Sequence, residues 1–286
     1  MTMKLPFSKG TPQCELTVLN AGFYKASLHM LKKKFPKKKI WGPALFFLIK
    51  HPKQGYFLFD TGYSTRFLDV THAFPYRILR FATPVQISKK DNAVEQLRAM
   101  NINPAEVQII LSHMHVDHVG GIHDFPTSRI IVSKKEWDFT RQSSLRLFKN
   151  FYIKELFDGI DPEQLQLIDF NGKTSYGPFP NAVDLFQDGS MILVPLPGHA
   201  VGQMGLLVNS LKGKRYFLIA DSVYVRQNFR ENLGGSWISK FAHYNNQEYK
   251  SLFPLLQQIE EDNLDIVMLP SHDPEIYHRY VHEKKA

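Results

Sequence analysis

The chain has 286 residues, of which 43% are hydrophobic and 13% aromatic, and its formal net charge is +8. This length and composition indicate a soluble globular protein that buries a substantial core. The longest apolar stretch, residues 41–49, is broken by Gly42 and Pro43. It is shorter than the roughly 18 residues that cross a bilayer, so we expect no membrane insertion.

The first lysines are not followed by an apolar run, and the single cysteine, Cys14, cannot form an internal disulfide. We therefore expect a cytoplasmic protein without a secretory signal. The positive charge is compatible with an anionic partner but does not identify one. Six lysines cluster within residues 32–39 around Phe35 and Pro36, and we interpret this segment as an exposed loop.

Nine segments have alternating apolar residues or short β-rich runs, and they are predicted to be strands. In chain order they are residues 15–19, 44–50, 56–59, 107–111, 129–132, 191–194, 204–208, 216–220 and 266–269. Helical patterns cover residues 92–101, 134–140 and 246–262. Hairpins alternate with β-α-β units and no flexible linker intervenes, so we expect one α/β domain of stacked sheets over residues 1–286.

Two long segments, residues 63–90 and 141–183, are rich in aromatic residues and proline and lack a regular pattern. Long loops in a compact domain often serve as lids or binding walls. We therefore consider both segments as candidate walls of a substrate pocket.

A cluster of metal-ligand residues directly follows the strand predicted at 107–111. The cluster is His113-x-His115-x-Asp117-His118, and chance would place such a string in on the order of one chain in a thousand of this composition. A chain that leaves a strand end can aim His113 and His115 at one metal ion, and Asp117 and His118 at a second. Imidazole and carboxylate ligands suit zinc, and also iron, manganese or cobalt.

Four ligands cannot complete two coordination spheres, so further ligands are needed downstream. Three such candidates each follow a predicted strand: His199 follows residues 191–194, Asp221 follows residues 216–220 and His272 follows residues 266–269. A carboxylate at Asp221 can bridge two ions with its two oxygens. The other histidines, His243 among them, have no comparable context and are interpreted as ordinary.

The motif and the three downstream ligands resemble the metallo-β-lactamase superfamily, and the likeness includes Phe59-Asp60-Thr61-Gly62. The resemblance implies a four-layer αββα sandwich and a supporting role for Asp60 behind the ligands. It also implies that His113, His115 and His199 hold one divalent ion, that Asp117, His118 and His272 hold the other, and that Asp221 is shared.

Within that superfamily the chain is most similar to the N-acyl-homoserine lactonases, which degrade bacterial quorum-sensing signals. Tyr224 stands three positions after Asp221, and Asn228-Phe229 continues the likeness. The resemblance implies a small ester or lactone substrate, hydroxide bridging two ions, an oxyanion stabilised by Tyr224 and a proton carried by Asp117. It is also compatible with a homodimer.

Three other functions are alternatives to a lactonase. A thioester hydrolase of the hydroxyacylglutathione type carries an added C-terminal helical region, whereas residues 273–286 leave little room for one. A nuclease would suit the positive charge, but the additional histidine motifs of that group are absent, so we do not expect a nucleic-acid substrate. An iron-dependent redox protein normally has glutamate in place of the second histidine, His115.

Overall fold

The computed structural model describes residues 3–8, 10–172 and 174–283, and two β-sheets form its framework. The strands of the first sheet are β1 Glu15–Ser27, β2 Lys39–His51, β3 Gly55–Phe59, β4 Val85–Gln86, β5 Val107–Leu111, β6 Ile130–Ser133 and β7 Leu165–Ile168. Those of the second sheet are β8 Val183–Asp184, β9 Met191–Pro195, β10 Met204–Asn209, β11 Arg215–Ala220 and β12 Ile266–Pro270. Their spatial orders are β4-β1-β2-β3-β5-β6-β7 and β12-β11-β10-β9-β8.

The helices connect these strands. The α-helices are α1 Leu28–Leu31, α2 Arg66–Val70, α3 Arg77–Ala82, α4 Ala93–Ala99, α5 Val116–Val119, α6 Lys134–Phe139, α7 Ser144–Lys149, α8 Gln227–Arg230, α9 Asn246–Asp262 and α10 Pro274–Tyr277. Short 3₁₀ helices cover Lys89–Asp91, Pro104–Glu106, Ile122–Asp124, Lys154–Leu156, Pro162–Gln164, Leu211–Gly213 and Trp237–Ala242, and a π-helical turn covers His278–His282. None of the described helices is both long and apolar enough to cross a membrane.

Three apolar clusters divide the molecule into four layers. The central cluster joins the facing sides of the sheets, with Phe47 and Ile110 from the first and Leu206 and Leu218 from the second. Ile109 and Leu207, next in sequence to two of these residues, belong to the two outer clusters, as the two-residue strand period requires. The outer clusters pack beneath α4 on one side and α9 on the other. The predicted αββα sandwich is confirmed.

The nine predicted strands and three predicted helices all form. Strands β1 and β2 are 13 residues each and longer than predicted, and they pair along their length. The short strands β4, β7 and β8 were not predicted, because two to four residues carry too little periodicity. The segments expected to be irregular contain α2, α3 and α7.

The lysine-rich loop, residues 32–39, was expected to be exposed, but its first residue is not. Lys32 is buried and its ammonium pairs with Glu231, so the interpretation of residues 32–39 as a wholly exposed loop was wrong at this position. A buried ammonium requires a charged partner, and the sequence does not indicate one 199 positions away. Lys33, Lys34 and Lys37–Lys39 are exposed as predicted.

The carboxyl ends of four strands meet at one edge of the sandwich. Strands β3 and β5 run parallel in the first sheet, as do β11 and β12 in the second. Asp60, Ser112, Asp221 and Ser271 each follow the end of one of these strands. The topology therefore collects the polar residues that follow these strands into one place.

The turn after β3 requires glycine at position 62. Gly62 has φ 65°, and a Cβ atom there would lie 2.2 Å from the Cβ of Ala21. Gly55, the first residue of β3, has φ 81° but no atom within 4 Å of the corresponding position. The two glycines share a left-handed backbone and differ in the space around them.

This pair predicts the outcome of two alanine substitutions. Gly55→Ala should cost about 1–2 kcal/mol of unfolding free energy, because only the left-handed backbone opposes it. Gly62→Ala should cost about 1–3 kcal/mol more, because the added methyl overpacks against β1. Urea denaturation of the two variants measures the difference, and equal losses would contradict this steric explanation.

Candidate metal centre

The segment after β5 places three histidines in the interior at the strand-end edge. His115 precedes the first residue of α5, and His118 lies within that short helix. His113 and His118 are fully buried and His115 is nearly so. The His-x-His-x-Asp-His spacing therefore places His113 and His115 before α5 and His118 within it. In this arrangement all three imidazoles point toward the same site.

Two histidines of this segment meet His199, which comes from the loop after β9. The ligand atoms of His113, His115 and His199 all lie within 4.8 Å of one another. Nδ1 of His115 is 3.0 Å from Nε2 of His199. The three imidazoles form the first of two groups predicted from the sequence.

Asp117, His118 and His272 form the second group, again with ligand atoms within 4.8 Å of one another. Nε2 of His272 is 3.2 Å from a carboxylate oxygen of Asp117, and Nε2 of His118 is 3.9 Å from the other. His272 reaches this position from the end of β12, on the opposite sheet from His118. The group thus spans both halves of the sandwich.

Asp221 lies between the two groups. One carboxylate oxygen is 3.3 Å from Nε2 of His199 and 3.1 Å from Nε2 of His272, and the other is 3.4 Å from Nε2 of His118. The structure thus brings together all seven residues that the sequence singled out as metal ligands.

The donor atoms fit a pair of divalent cations. Nε2 of His113, Nε2 of His118 and Oδ1 of Asp221 are buried and have no hydrogen-bond partner among the described residues. Buried polar atoms are normally satisfied, so three unsatisfied atoms facing one another point to an ion that would satisfy them. Imidazole and carboxylate donors with no thiolate suit zinc and several other first-row metals.

The ring nitrogens that face away from the site are held by neighbouring groups. His118 Nδ1 donates to Asp60 at 2.8 Å, and His272 Nδ1 donates to the Pro43 carbonyl at 2.9 Å. Asp60 also accepts hydrogen bonds from the backbone N–H and hydroxyl of Ser112. Such partners set the tautomer and orientation of a ligand imidazole. Asp60 therefore occupies the supporting position that the family resemblance implied.

His243 also contacts a candidate ligand, although the sequence analysis interpreted it as ordinary. Its Nδ1 is 3.1 Å from Nδ1 of His199, and its ring stacks on Tyr249 with centroids 3.6 Å apart. Burial lowers the pKa of His243 to about 3, so its ring is neutral near pH 7 and can accept a hydrogen bond from Nδ1 of His199. No sequence pattern marks a histidine that follows a 3₁₀ helix, so this contact could not be anticipated.

Glu136 and Tyr24 are two further neighbours that sequence reasoning missed. The buried carboxylate of Glu136 accepts hydrogen bonds from the N–H of Met114 and Gly202 and from the hydroxyl of Tyr152. It therefore connects the segment bearing His113 and His115 to the loop bearing His199. The ring of Tyr24 packs edge-on against His272 with centroids 4.9 Å apart.

A cavity of about 480 Å³ opens onto the candidate ligands. Its floor includes His115, Asp117, Asp221 and Tyr224, and its walls include apolar side chains from three segments: Tyr63, Phe67, Leu79, Phe151, Ile238 and Phe241. Both segments proposed as pocket walls, residues 63–90 and 141–183, contribute to it. The third wall, from the 3₁₀ helix Trp237–Ala242, was not expected.

Tyr224 lies among the histidines at the floor of this cavity. Its ring centroid is 6.0 Å from that of His199 and 6.1 Å from that of His272. Burial, together with nearby Tyr249 and Asp221, raises the pKa of Tyr224 well above its usual value of 10.0. The hydroxyl therefore keeps its proton near neutral pH and can act as a hydrogen-bond donor.

Charges divide the histidines into two classes. Burial and the neighbouring imidazoles lower the pKa of His113 well below 6.5, and burial lowers that of His115 to about 4. For His118, burial opposes protonation, but the carboxylates of Asp60, Asp221 and Asp117 outweigh it and raise the pKa to about 10. The carboxylate of Asp221 likewise outweighs burial and raises the pKa of His272 well above 6.5. With no metal bound, His118 and His272 therefore carry protons at neutral pH.

Comparison with known proteins agrees with this geometry. The sequence model of the metallo-beta-lactamase superfamily matches residues 40–272. The N-acyl homoserine lactonase AttM of Rhizobium radiobacter is 26% identical over 275 residues, which are 95% of this chain and 96% of that protein.

Two of the solved structures that share the fold are lactone hydrolases. One is an N-acyl homoserine lactone hydrolase with N-hexanoyl-L-homoserine at its metal centre, with a TM-score of 0.74, 20% identity and coverage of 96% of this chain and 97% of that one. The other is AidC, a dizinc quorum-quenching lactonase, with a TM-score of 0.60, 18% identity and coverage of 96% and 90%.

The proton on His118 predicts a pH-dependent affinity for metal. A cation that binds Nε2 of both His118 and His272 has to displace a proton from each, because the pKa of His272 is also raised well above 6.5, so the apparent affinity should rise at least tenfold per pH unit between about pH 6 and 9. Competitive titration with a chromophoric chelator, corrected for the chelator's own protonation, measures this slope.

Asp60→Asn provides a variant for the same titration. It removes a negative charge from His118, which should lower the pKa of His118 and flatten the slope, whereas the exposed Asp69→Asn should leave the slope unchanged. An affinity that does not vary with pH in the unmodified protein would refute this explanation.

Proposed function

Because the chain belongs to the metallo-beta-lactamase superfamily, we propose that it is a metal-dependent hydrolase that opens an N-acyl-homoserine-type lactone. The observation that carries the proposal is that Tyr224 and five of the seven candidate ligands line one largely apolar cavity. The likeness to a lactonase over nearly the whole of both chains supports the same substrate class.

We assign one cation to His113, His115 and His199 and the other to Asp117, His118 and His272, with Asp221 between them. When bound, two divalent ions would supply hydroxide near neutral pH by lowering the pKa of a water molecule between them. Zinc is the proposed metal, since these donors suit it and a neighbour of the same fold is a dizinc lactonase.

The protein's own side chains have distinct proposed roles in ring opening. The protonated hydroxyl of Tyr224 donates a hydrogen bond to the carbonyl oxygen, which becomes negative as the carbonyl carbon is attacked. Asp117 lines the cavity and can accept a proton and transfer it to the departing alkoxide. No nucleophilic thiol takes part, because Cys14 is buried between the sheets.

The cavity walls favour an acyl substrate over a phosphodiester. Phe67, Leu79, Phe151 and Ile238 provide apolar surface for a hydrocarbon chain. Within the described part of the chain, no lysine or arginine lines the cavity, whereas phosphate recognition normally depends on such residues. The nuclease alternative therefore has no support inside the cavity, despite the overall positive charge.

A substrate panel tests the proposal. Protein loaded with zinc should be assayed on acyl-homoserine lactones of several chain lengths, a thioester, a phosphodiester and a β-lactam. We expect the lactones to have the highest kcat/KM, with longer chains preferred because they bury more apolar surface. Turnover of the phosphodiester alone would overturn the proposal, and turnover of the thioester alone would reassign the substrate.

Tyr224→Phe tests the proposed oxyanion contact. Loss of one hydrogen-bond donor to a developing oxyanion should reduce kcat by about 10²–10³-fold, while the bound metal per chain stays unchanged. Tyr56→Phe, at the opposite end of β3 from the site, provides the matched control. An unaltered kcat in the Tyr224 variant would remove this residue from the mechanism.

A further inference from the structure

Large apolar side chains stand exposed at the mouth of the cavity. Phe81 in α3 is 73% exposed, and Trp237 and Phe241 in the 3₁₀ helix Trp237–Ala242 are 68% and 71% exposed. Leu79 and Ala82 of α3, and Ile238 and Phe241 of the 3₁₀ helix, line the same cavity. We call the two segments, Arg77–Ala82 and Trp237–Ala242, the rim.

The lysine-rich loop lies directly beside the rim. The N–H of Lys33 donates to the carbonyl of Gly234 at 3.0 Å, and the N–H of Ser236 donates to the carbonyl of His29 at 3.1 Å. These backbone contacts place the exposed lysines of residues 33–39 next to Trp237. On the other side of the opening, the Arg77 guanidinium packs 5.5 Å from the centroid of the Phe81 ring.

Acidic residues are missing from three of the segments near the opening, whereas the wall around Phe151 carries the exposed Glu155 and Asp158 beside Lys149 and Lys154. Residues 16–59, 70–90 and 232–247 contain no aspartate or glutamate. The same stretches carry the lysine cluster, Arg77, Arg80 and Lys240. The surface around the cavity mouth therefore combines exposed aromatic rings with an excess of positive charge.

We propose that the rim docks on an anionic lipid bilayer, with the cavity mouth facing the membrane. Aromatic side chains at the level of the lipid headgroups and basic residues near anionic lipid are the two features that hold a protein on a membrane surface. The rim presents both around a single opening. The docking is peripheral, since none of the described helices can span a bilayer.

A second copy of the chain fits this surface poorly. A two-fold contact would place the same face of each copy against the other, so the basic residues around the two rims would repel. Nucleic acid would pair with the lysines but would leave the aliphatic Ile78, 51% exposed, without a role. An anionic bilayer satisfies both the charge and the apolar side chains.

Docking would also supply the substrate, and this consequence rests on the proposed lactonase function. A long acyl chain partitions into the bilayer, and a cavity that opens onto the membrane could receive the chain from there without its passage through water. Docking itself needs no catalysis, so it can be measured separately.

Cosedimentation of the zinc-loaded protein with vesicles tests the proposal. Vesicles of equal parts phosphatidylglycerol and phosphatidylcholine should bind the protein, and binding should weaken as salt is raised, whereas vesicles of phosphatidylcholine alone should bind little. Equal binding to both vesicle types, or binding to neither, would overturn the proposal.

Two sets of variants separate the apolar and the charged contributions. Trp237→Ser with Phe81→Ser should weaken binding by about tenfold or more, and Leu264→Ser, 94% exposed before β12, should not. Lys33→Glu with Lys34→Glu and Lys37→Glu should weaken binding on the order of 100-fold. The matched charge control reverses three exposed charges at the opposite end of the strands, with Lys53→Glu, Arg129→Glu and Lys214→Glu.

Further outcomes distinguish membrane docking from self-association, and separate it from the proposed lactonase activity. Trp237 and Phe81 do not line the cavity, so their double variant should hydrolyse a short, water-soluble lactone at the normal rate. A dimer in sedimentation velocity that the same variant dissociates would assign the rim to self-association and overturn membrane docking. Vesicle binding without any lactonase activity would support docking while refuting the proposed substrate.

Discussion

The carboxylate of Asp221 is the constraint around which the site is organised. Three imidazoles, those of His118, His199 and His272, lie within 3.4 Å of its oxygens in the interior. Burial alone would raise the pKa of Asp221, but these histidines hold it well below the usual range. Because the three histidines come from both sheets, the packing of the sandwich and the geometry of the site depend on each other.

The fold stabilises this arrangement with groups that do not themselves face the cavity. Asp60 has a left-handed backbone at φ 66°, yet this conformation lets its carboxylate reach both Ser112 and His118. Strained residues of this kind persist only where the surrounding structure holds them. Glu136 connects the two ligand-bearing loops from behind, through the N–H of Met114 and of Gly202. The rim, by contrast, is made of short helices with exposed apolar residues. It borders the opening of the cavity and supplies no candidate metal ligand.

The sequence predicted which seven side chains come together better than it predicted their surroundings, for physical reasons. His113, His115, Asp117 and His118 share a short motif, and His199, Asp221 and His272 follow strands whose apolar patterns are plain. The contact between His243 and His199 joins positions 44 residues apart with no pattern at either. In the sequence, Glu136 is indistinguishable from an exposed charged residue of a helix, and only the fold shows that it is buried. The cavity walls depend on short helices, whose placement follows from tertiary packing and not from local periodicity.

Anomalous diffraction from crystals grown with zinc tests the central claim most directly. The geometry predicts two anomalous peaks, one about 2 Å from the nitrogens of His113, His115 and His199 and the other at the same distance from Asp117, His118 and His272. Asp221 should contact both peaks. A single peak, or peaks away from these side chains, would contradict the account of a two-metal centre built on the ends of both sheets.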